Sequence, residues 1–219
     1  MPEFLHGSLQ QYLDQLASGD PTPGGGSAAA LNGAMGAALL CMSARFTVGR
    51  EKYAAFQKNA QLVLEKADAL RGLLERLTEE DAVAYANYRA ASALPKGTEE
   101  EMATRTAAMR EATRASAAVP LQIARHCHRL LELAGTLAGN CNPYLVSDVV
   151  VATHLALAAF RSAVINIRMN LLSLGDAPFV RHTEDELEPL IATAGPLAHA
   201  ALETAYAVMS LSLEGDIPA

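Results

Sequence analysis

Three kinds of residue are scarce or badly placed in this chain, and each scarcity removes a class of function. Cysteine occurs three times in 219 residues, at Cys41, Cys127 and Cys141, far apart and in helical or apolar contexts. That spacing excludes a paired-cysteine zinc site and the density excludes a secreted disulfide scaffold, so the thiols are expected to be reduced and the protein cytoplasmic. Histidine occurs six times without the His-x-x-x-His spacing that puts two ligands on one helical face, and His126 and His128 point apart. No metal is expected, and His154 reads as a hydrogen-bonded core histidine. Basic residues number 17 against 24 acids, for a net charge of −7, and they are interspersed with acids rather than gathered in a stripe. Nucleic acid is therefore not an expected partner.

Strand signals are missing as well: no run alternates apolar and polar or gathers valine, isoleucine and aromatics. The opening Met-Pro-Glu-Phe-Leu-His lacks the basic and then apolar run of a signal peptide, so no export is expected. Between Pro23 and Arg45 there is no charge at all, but the stretch is mostly Ala, Gly, Ser and Asn, too weakly hydrophobic for a membrane span. A buried helix explains it, and no membrane partner is expected. Small residues at Gly26, Ala30, Gly33 and Ala37 recur about once per turn and would let another helix approach closely, within the chain or across a dimer.

What is present is helical periodicity almost throughout, with 51% hydrophobic residues, enough for one domain over residues 1–219. The pattern predicts a short helix over 6–17, a glycine loop, and a helix over 28–45 capped by Ser27. A long helix over 53–93 should follow, stopped by Leu94-Pro-Lys-Gly97. Thr98 with Glu101 forms a capping box for the next helix, which Pro120 should kink before it ends near Ala138. Asn140-Cys-Asn-Pro143 breaks the chain, Ser147-Asp148 opens an apolar helix to about Leu174, and Thr183 starts a last helix interrupted by Pro189 and by Gly195-Pro196. The expected fold is all-α, a single bundle of six or seven helices without internal repeats.

Pro21-Thr-Pro-Gly-Gly-Gly-Ser27 is the most informative segment. Prolines stiffen the approach, glycines Gly24, Gly25 and Gly26 allow close contact with a ligand or a helix, and the unpaired amides of the helix start favour an anionic or carbonyl group. The Gly-Lys-Ser/Thr of a phosphate loop is absent, as are the flanking glycines of a nucleophile elbow. Three polar groups interrupt otherwise apolar helices. Asp81 and Tyr85 sit one turn apart on one face. Ser147-Asp148 lies at a helix start, where the dipole would keep the aspartate ionised. Asn166 and Asn170 share a face beside Arg168. Each has a purely structural use as a surface pair, a cap or a satisfied core network; together with the glycine loop they point to a site.

These residues resemble the cyclodeaminase and methenyltetrahydrofolate cyclohydrolase family, whose members stand alone or form the C-terminal part of formiminotransferase-cyclodeaminase. The resemblance covers nearly the whole chain and rests on Pro21-Thr-Pro-Gly-Gly-Gly-Ser27, Gly33-Ala-Met-Gly-Ala-Ala38, Gly49-Arg-Glu-Lys-Tyr53, Asp81-Ala-Val-Ala-Tyr85, Leu94-Pro-Lys96, Val119-Pro-Leu121, Ser147-Asp148 and Asn166-Ile-Arg-Met-Asn-Leu171, in the family's order. The chain departs from it at Arg50-Glu51, where the family has lysines, at Cys141 and Tyr144 around Asn142-Pro143, and at Val150, where a glycine is usual.

The resemblance implies an all-helical homodimer acting on the ring that joins N5 and N10 of tetrahydrofolate, with no cofactor beyond that substrate. It implies catalytic roles for Asp148, Asp81 and Lys52, and substrate contacts from Gly24, Gly25, Gly26, Ser27, Tyr85, Lys96, Asn142, Ser147, Asn166, Arg168 and Asn170. Two activities share these residues: hydrolysis of methenyltetrahydrofolate to 10-formyltetrahydrofolate, and cyclodeamination of formimidoyltetrahydrofolate with release of ammonia. A chain without an attached transferase favours the hydrolysis; a folate-binding bundle without catalysis is the third alternative.

Overall fold

The protein, here a computed structural model, is described over residues 4–172 and 174–212. Helix α1 covers Leu9–Leu16, shorter than expected because Ser8 starts it with a capping box: the Ser8 hydroxyl accepts from the Gln11 amide at 3.1 Å and Gln11 Oε1 accepts from the Ser8 amide at 2.8 Å. Helix α2 covers Gly25–Arg45, with Gly24 rather than Ser27 at the cap. Ser27 is already the third residue of the helix, and its hydroxyl is used elsewhere.

The helix expected from Tyr53 is divided. A 3₁₀ segment, Glu51–Phe56, precedes α3, Gln57–Ser92, and Tyr53 (φ −113°, ψ 26°) departs from helical geometry. Gln57 organises this corner, accepting from the Gly49 amide at 2.6 Å and donating to the carbonyls of Thr47 at 3.1 Å and Tyr53 at 3.0 Å. Gly49 has φ +72°, the left-handed conformation a side chain would disfavour. Helix α4, Glu99–Ala138, begins at the expected Thr98–Glu101 capping box and continues through Pro120, which is buried. A 3₁₀ turn, Pro143–Leu145, leads into α5, Val146–Leu172.

The last helix corrects the sequence reading most. Helix α6 runs unbroken over Ala177–Met209 instead of starting at Thr183 and breaking at two prolines. The Asp176 carboxylate accepts the Phe179 amide, and Pro178 lies in the first turn, where its missing N–H costs nothing. Pro189 and Pro196 are exposed, as are Asp185 and Ala192, whose carbonyls lose their helical partners, so water can replace the missing bonds. The opposite face, with Leu187, Ala194, Ala198 and Ala201, is buried and holds the helix against the bundle.

Among the described residues there are six α-helices and no strand. Helix α2 lies in the middle, packed on α3, α4 and α5, which accounts for its lack of charge. Its small residues serve the chain itself: a side chain at Gly33 would meet Cys127 Sγ at 2.8 Å and Leu74 at 3.2 Å, and one at Gly36 would meet the Ala152 carbonyl at 3.1 Å. Leu40, Leu74, Ile123, Leu130, Leu131 and Ile167 fill the centre with essentially no exposure, each contributing about 1.5–3 kcal/mol of burial. By length and composition α2 and the 143–172 segment could each cross a membrane; 61% of the apolar stretch of α2 is buried within this bundle.

Candidate active site

The first turn of α2 and the middle of α3 meet at one point. Asp81 reaches across from α3, and its Oδ2 accepts the Ser27 amide at 3.0 Å, capping α2 in place of a local side chain. The two helices come so close that a methyl group at Gly26 would collide with both carboxylate oxygens of Asp81. Glycine is therefore required at 26 by the carboxylate opposite it. Burial pushes the Asp81 carboxyl above the usual carboxylate range, and the Ser27 amide pulls it partly back.

Beneath this contact Ser27 is fully buried, and its hydroxyl meets the Tyr12 hydroxyl of α1 at 3.2 Å. Tyr12 is 4% exposed; burial raises its phenol, the Ser27 bond lowers it and the Asp81 charge raises it again. Helix α1 thus braces the glycine turn from behind.

In front of the turn opens a cleft of about 400 Å³, within the usual range for a small-molecule site. Its floor is Pro21, Thr22 and Gly24 to Gly26, approached through a cis peptide at Thr22–Pro23. Helix α3 contributes Asp81, Tyr85 and Tyr88, α4 contributes Thr113 and Ser116, and α5 contributes Asn166, Met169 and Asn170. Two asparagines four residues apart on α5 face it because each is anchored: Asn166 Nδ2 donates to the Ser162 carbonyl at 2.9 Å, and Asn170 Nδ2 donates across to the Ser116 carbonyl at 2.7 Å. Asn166 Oδ1 lies on the Gly25 side of the cleft. Asp81 is the only charged side chain among the described lining residues.

The structure therefore brings together Gly24, Gly25, Gly26, Asp81, Tyr85, Asn166 and Asn170, with Ser27 just behind. Sequence reasoning missed Tyr88, Thr113, Ser116, Met169 and Tyr12. A signal existed for Tyr88, which follows Asp81 by seven and Tyr85 by three residues, the spacing of one helical face. Nothing in the sequence marks Thr113 or Ser116, since their place depends on how α4 crosses α3.

Other candidates are elsewhere. Asn142, Ser147 and Asp148 lie at the opposite end of α2, where the Asn142 amide donates to Thr47 Oγ1 at 3.1 Å and the Ser43 hydroxyl to the Leu145 carbonyl at 3.5 Å. Lys52 is there too, exposed and stacked 5.6 Å over Tyr53. Asp148 is half-buried in the first turn of α5, roughly 27 Å along the axis from Asn166 at 1.5 Å per residue. Lys96 is exposed in the loop between α3 and α4 and lines no part of the cleft, while Arg168 lines a separate groove between α5 and α6. His154 is exposed, contrary to the expected core position; the core histidine is His128, whose Nε2 pairs with Thr193 Oγ1 at 2.8 Å. All three cysteines are buried, and burial pushes the Cys41 thiol up to about 11.

Comparison with known proteins supplies the family. A methenyltetrahydrofolate cyclohydrolase of Methylorubrum extorquens is 41% identical over 197 residues, covering 90% of this chain and 95% of that protein. A formimidoyltransferase-cyclodeaminase of Rattus norvegicus is 32% identical over 86% of this chain, which spans only 35% of the rat protein. The crystal structure of formiminotetrahydrofolate cyclodeaminase from Thermotoga maritima superposes with a TM-score of 0.85 at 27% identity, over 94% of this chain and all of that one. The Formiminotransferase-cyclodeaminase family model matches residues 8–189, and the chain belongs to that family.

Proposed function

We propose that this protein is a methenyltetrahydrofolate cyclohydrolase. The supporting observation is Asp81, a lone carboxylate in a cleft otherwise lined by amides, hydroxyls and apolar groups, facing a substrate whose reacting carbon belongs to a delocalised amidinium cation. A single anion in such a cleft favours that cation over neutral folates. The 41% identity to a cyclohydrolase over nearly its whole length supports the same reading.

In the reaction, water attacks the carbon bridging N5 and N10, and Asp81 takes a water proton as the new C–O bond neutralises the cation. The C–N5 bond then breaks, its electron pair stays on N5, and N5 takes the proton from Asp81. The hydroxyl loses its proton to solvent as the formyl C=O forms on N10. Burial that raises the Asp81 carboxyl suits both halves, since a base must also return its proton. The Gly25 and Gly26 amides, the Tyr85 hydroxyl and Asn166 Oδ1 supply hydrogen bonds to orient the pterin. Lys52 and Asp148 have no part in this scheme within one chain.

We also propose a homodimer, supported by the exposed apolar residues Val151, Ile165 and Met169 that α5 leaves uncovered, and a cytoplasmic location, supported by three free, buried cysteines. A single monomeric species in sedimentation would contradict the homodimer. The activity is tested by following loss of the methenyl absorbance against the spontaneous rate, alongside ammonia release from formimidoyltetrahydrofolate. Accelerated methenyl loss without ammonia is expected; ammonia release alone would assign the cyclodeaminase, and tight folate binding without either would leave a binding protein.

A further inference from the structure

Beside the cleft lies a second hollow of about 280 Å³ between α3, α4 and the 174–175 turn. Tyr88 and Thr113 line both, so the two are neighbours on either side of a shared wall. The second hollow differs in charge: its ionised side chain is Arg110. One turn further along α4 stands Arg114, whose guanidinium is committed to Asp176, with Glu111 at 4.0 Å and the Phe179 ring 5.7 Å below. Those hydrogen bonds from Arg114 hold the Asp176 carboxyl below its usual range, with Arg110 adding a weaker pull. Arg110 itself forms no ion pair or hydrogen bond among the described residues, and no carboxylate lines the hollow with it.

We propose that Arg110 is the subsite for the carboxylates of the substrate's glutamate tail. The inference rests on the folate reading of the cleft. With the pterin ring at Asp81 and the glycine turn, the p-aminobenzoyl group would cross the Tyr88–Thr113 wall, where Met109 and Leu174 offer apolar contact. The glutamate then arrives at a guanidinium that makes no ion pair among the described residues and whose planar fork fits a carboxylate in a bidentate pair. One molecule with a cation near one end and anions at the other thus meets an aspartate and an arginine in that order. The tail leaves toward solvent at exposed Arg110, so additional glutamates would be accommodated.

The test compares Arg110→Gln and Arg110→Lys with the unmodified protein on two substrates, methenyltetrahydrofolate and its methenyltetrahydropteroate analogue, which lacks the glutamate. Losing a charge-assisted pair made equally in ground and transition states should raise KM by about tenfold or more and leave kcat nearly unchanged. The unmodified protein should lose a similar factor on the tail-less analogue, Arg110→Gln should no longer distinguish the two, and Arg110→Lys should recover part of the difference. Equilibrium binding of 5-formyltetrahydrofolate against its tail-less analogue reads the same preference without turnover. If methenyl hydrolysis is absent but binding still depends on the tail through Arg110, the reaction assignment fails and the subsite stands. An Arg110→Gln variant that keeps wild-type KM, or that still prefers the glutamate form, overturns the subsite, as does an unmodified protein that binds neither compound.

Discussion

The two ends of α2 make an instructive pair. Each carries residues that the sequence marks as functional, and each is tied to neighbouring helices by hydrogen bonds. At the first turn, the carboxylate of Asp81 faces the backbone of Gly26 and Ser27 inside an open cleft, with Tyr85, Asn166 and Asn170 around it. At the last, Thr47, Asn142 and Gln57 satisfy backbone groups of the chain itself, while Lys52 lies exposed and Asp148 lies half-buried in the first turn of α5. About 30 Å of helix separates the two ends at 1.5 Å per residue. One end is built to present a charge to a ligand and the other to close a corner, although both read alike as polar interruptions in apolar sequence.

The sharpest way to break this contrast is Asp81→Asn. It keeps an oxygen for the Ser27 amide and removes the proton acceptor, so kcat should fall by about 100-fold or more. Stability should move the other way. The folded-state carboxyl lies above its ordinary value because of burial, so folding favours the protonated form. The charged form therefore costs stability at neutral pH, and the cost disappears as pH falls through the raised value. Asp81→Asn should melt higher than the unmodified protein at neutral pH, with the gap closing on acidification, and the activity of the unmodified enzyme should decline over that same acid limb.

Gly26→Ala is expected next in size. The added methyl must displace the Asp81 carboxylate, and a shift of about 1 Å can cost on the order of 100-fold in kcat. The helix itself should tolerate alanine, so circular dichroism should remain that of a folded bundle. Tyr12→Phe should matter less: it removes the hydroxyl from Ser27 within a buried pair, costing about 1 kcal/mol of stability and a few-fold in kcat. The smallest effect is expected for Asp148→Asn, because Asp148 lines no part of the cleft: within about twofold, the factor that ~0.5 kcal/mol, typical of substitutions away from special features, corresponds to. A loss as large as that of Asp81→Asn would show that the far end of α2 reaches a cleft in another copy of the chain, and chemical crosslinking would locate it.

Much of this was legible in the sequence, for identifiable reasons. Helix existence followed from periodicity, and the Thr98–Glu101 cap and the Gly97 break were local signals that the structure keeps. The pairing of Asp81 with Tyr85 and of Asn166 with Asn170 follows from helical spacing alone, so these four could be placed on faces before any fold was known. Misreadings arose where tertiary packing overrides local preference. Ser27 is a good capping residue in isolation, yet Asp81, 54 positions away, caps the helix instead. Pro189 and Pro196 are good helix breakers, yet α6 keeps its buried face and turns both prolines outward. The separation of Asp148 from Asp81 was equally invisible, because only the antiparallel course of the helices decides which ends meet.

The measurement that bears most directly on the account is the rate of methenyltetrahydrofolate hydrolysis by Asp81→Asn, set beside the unmodified protein, Asp148→Asn and a protein-free control. Asp81→Asn should be folded and close to the spontaneous rate, with Asp148→Asn near the unmodified one. A folded Asp81→Asn protein that hydrolyses the substrate at the unmodified rate would contradict it.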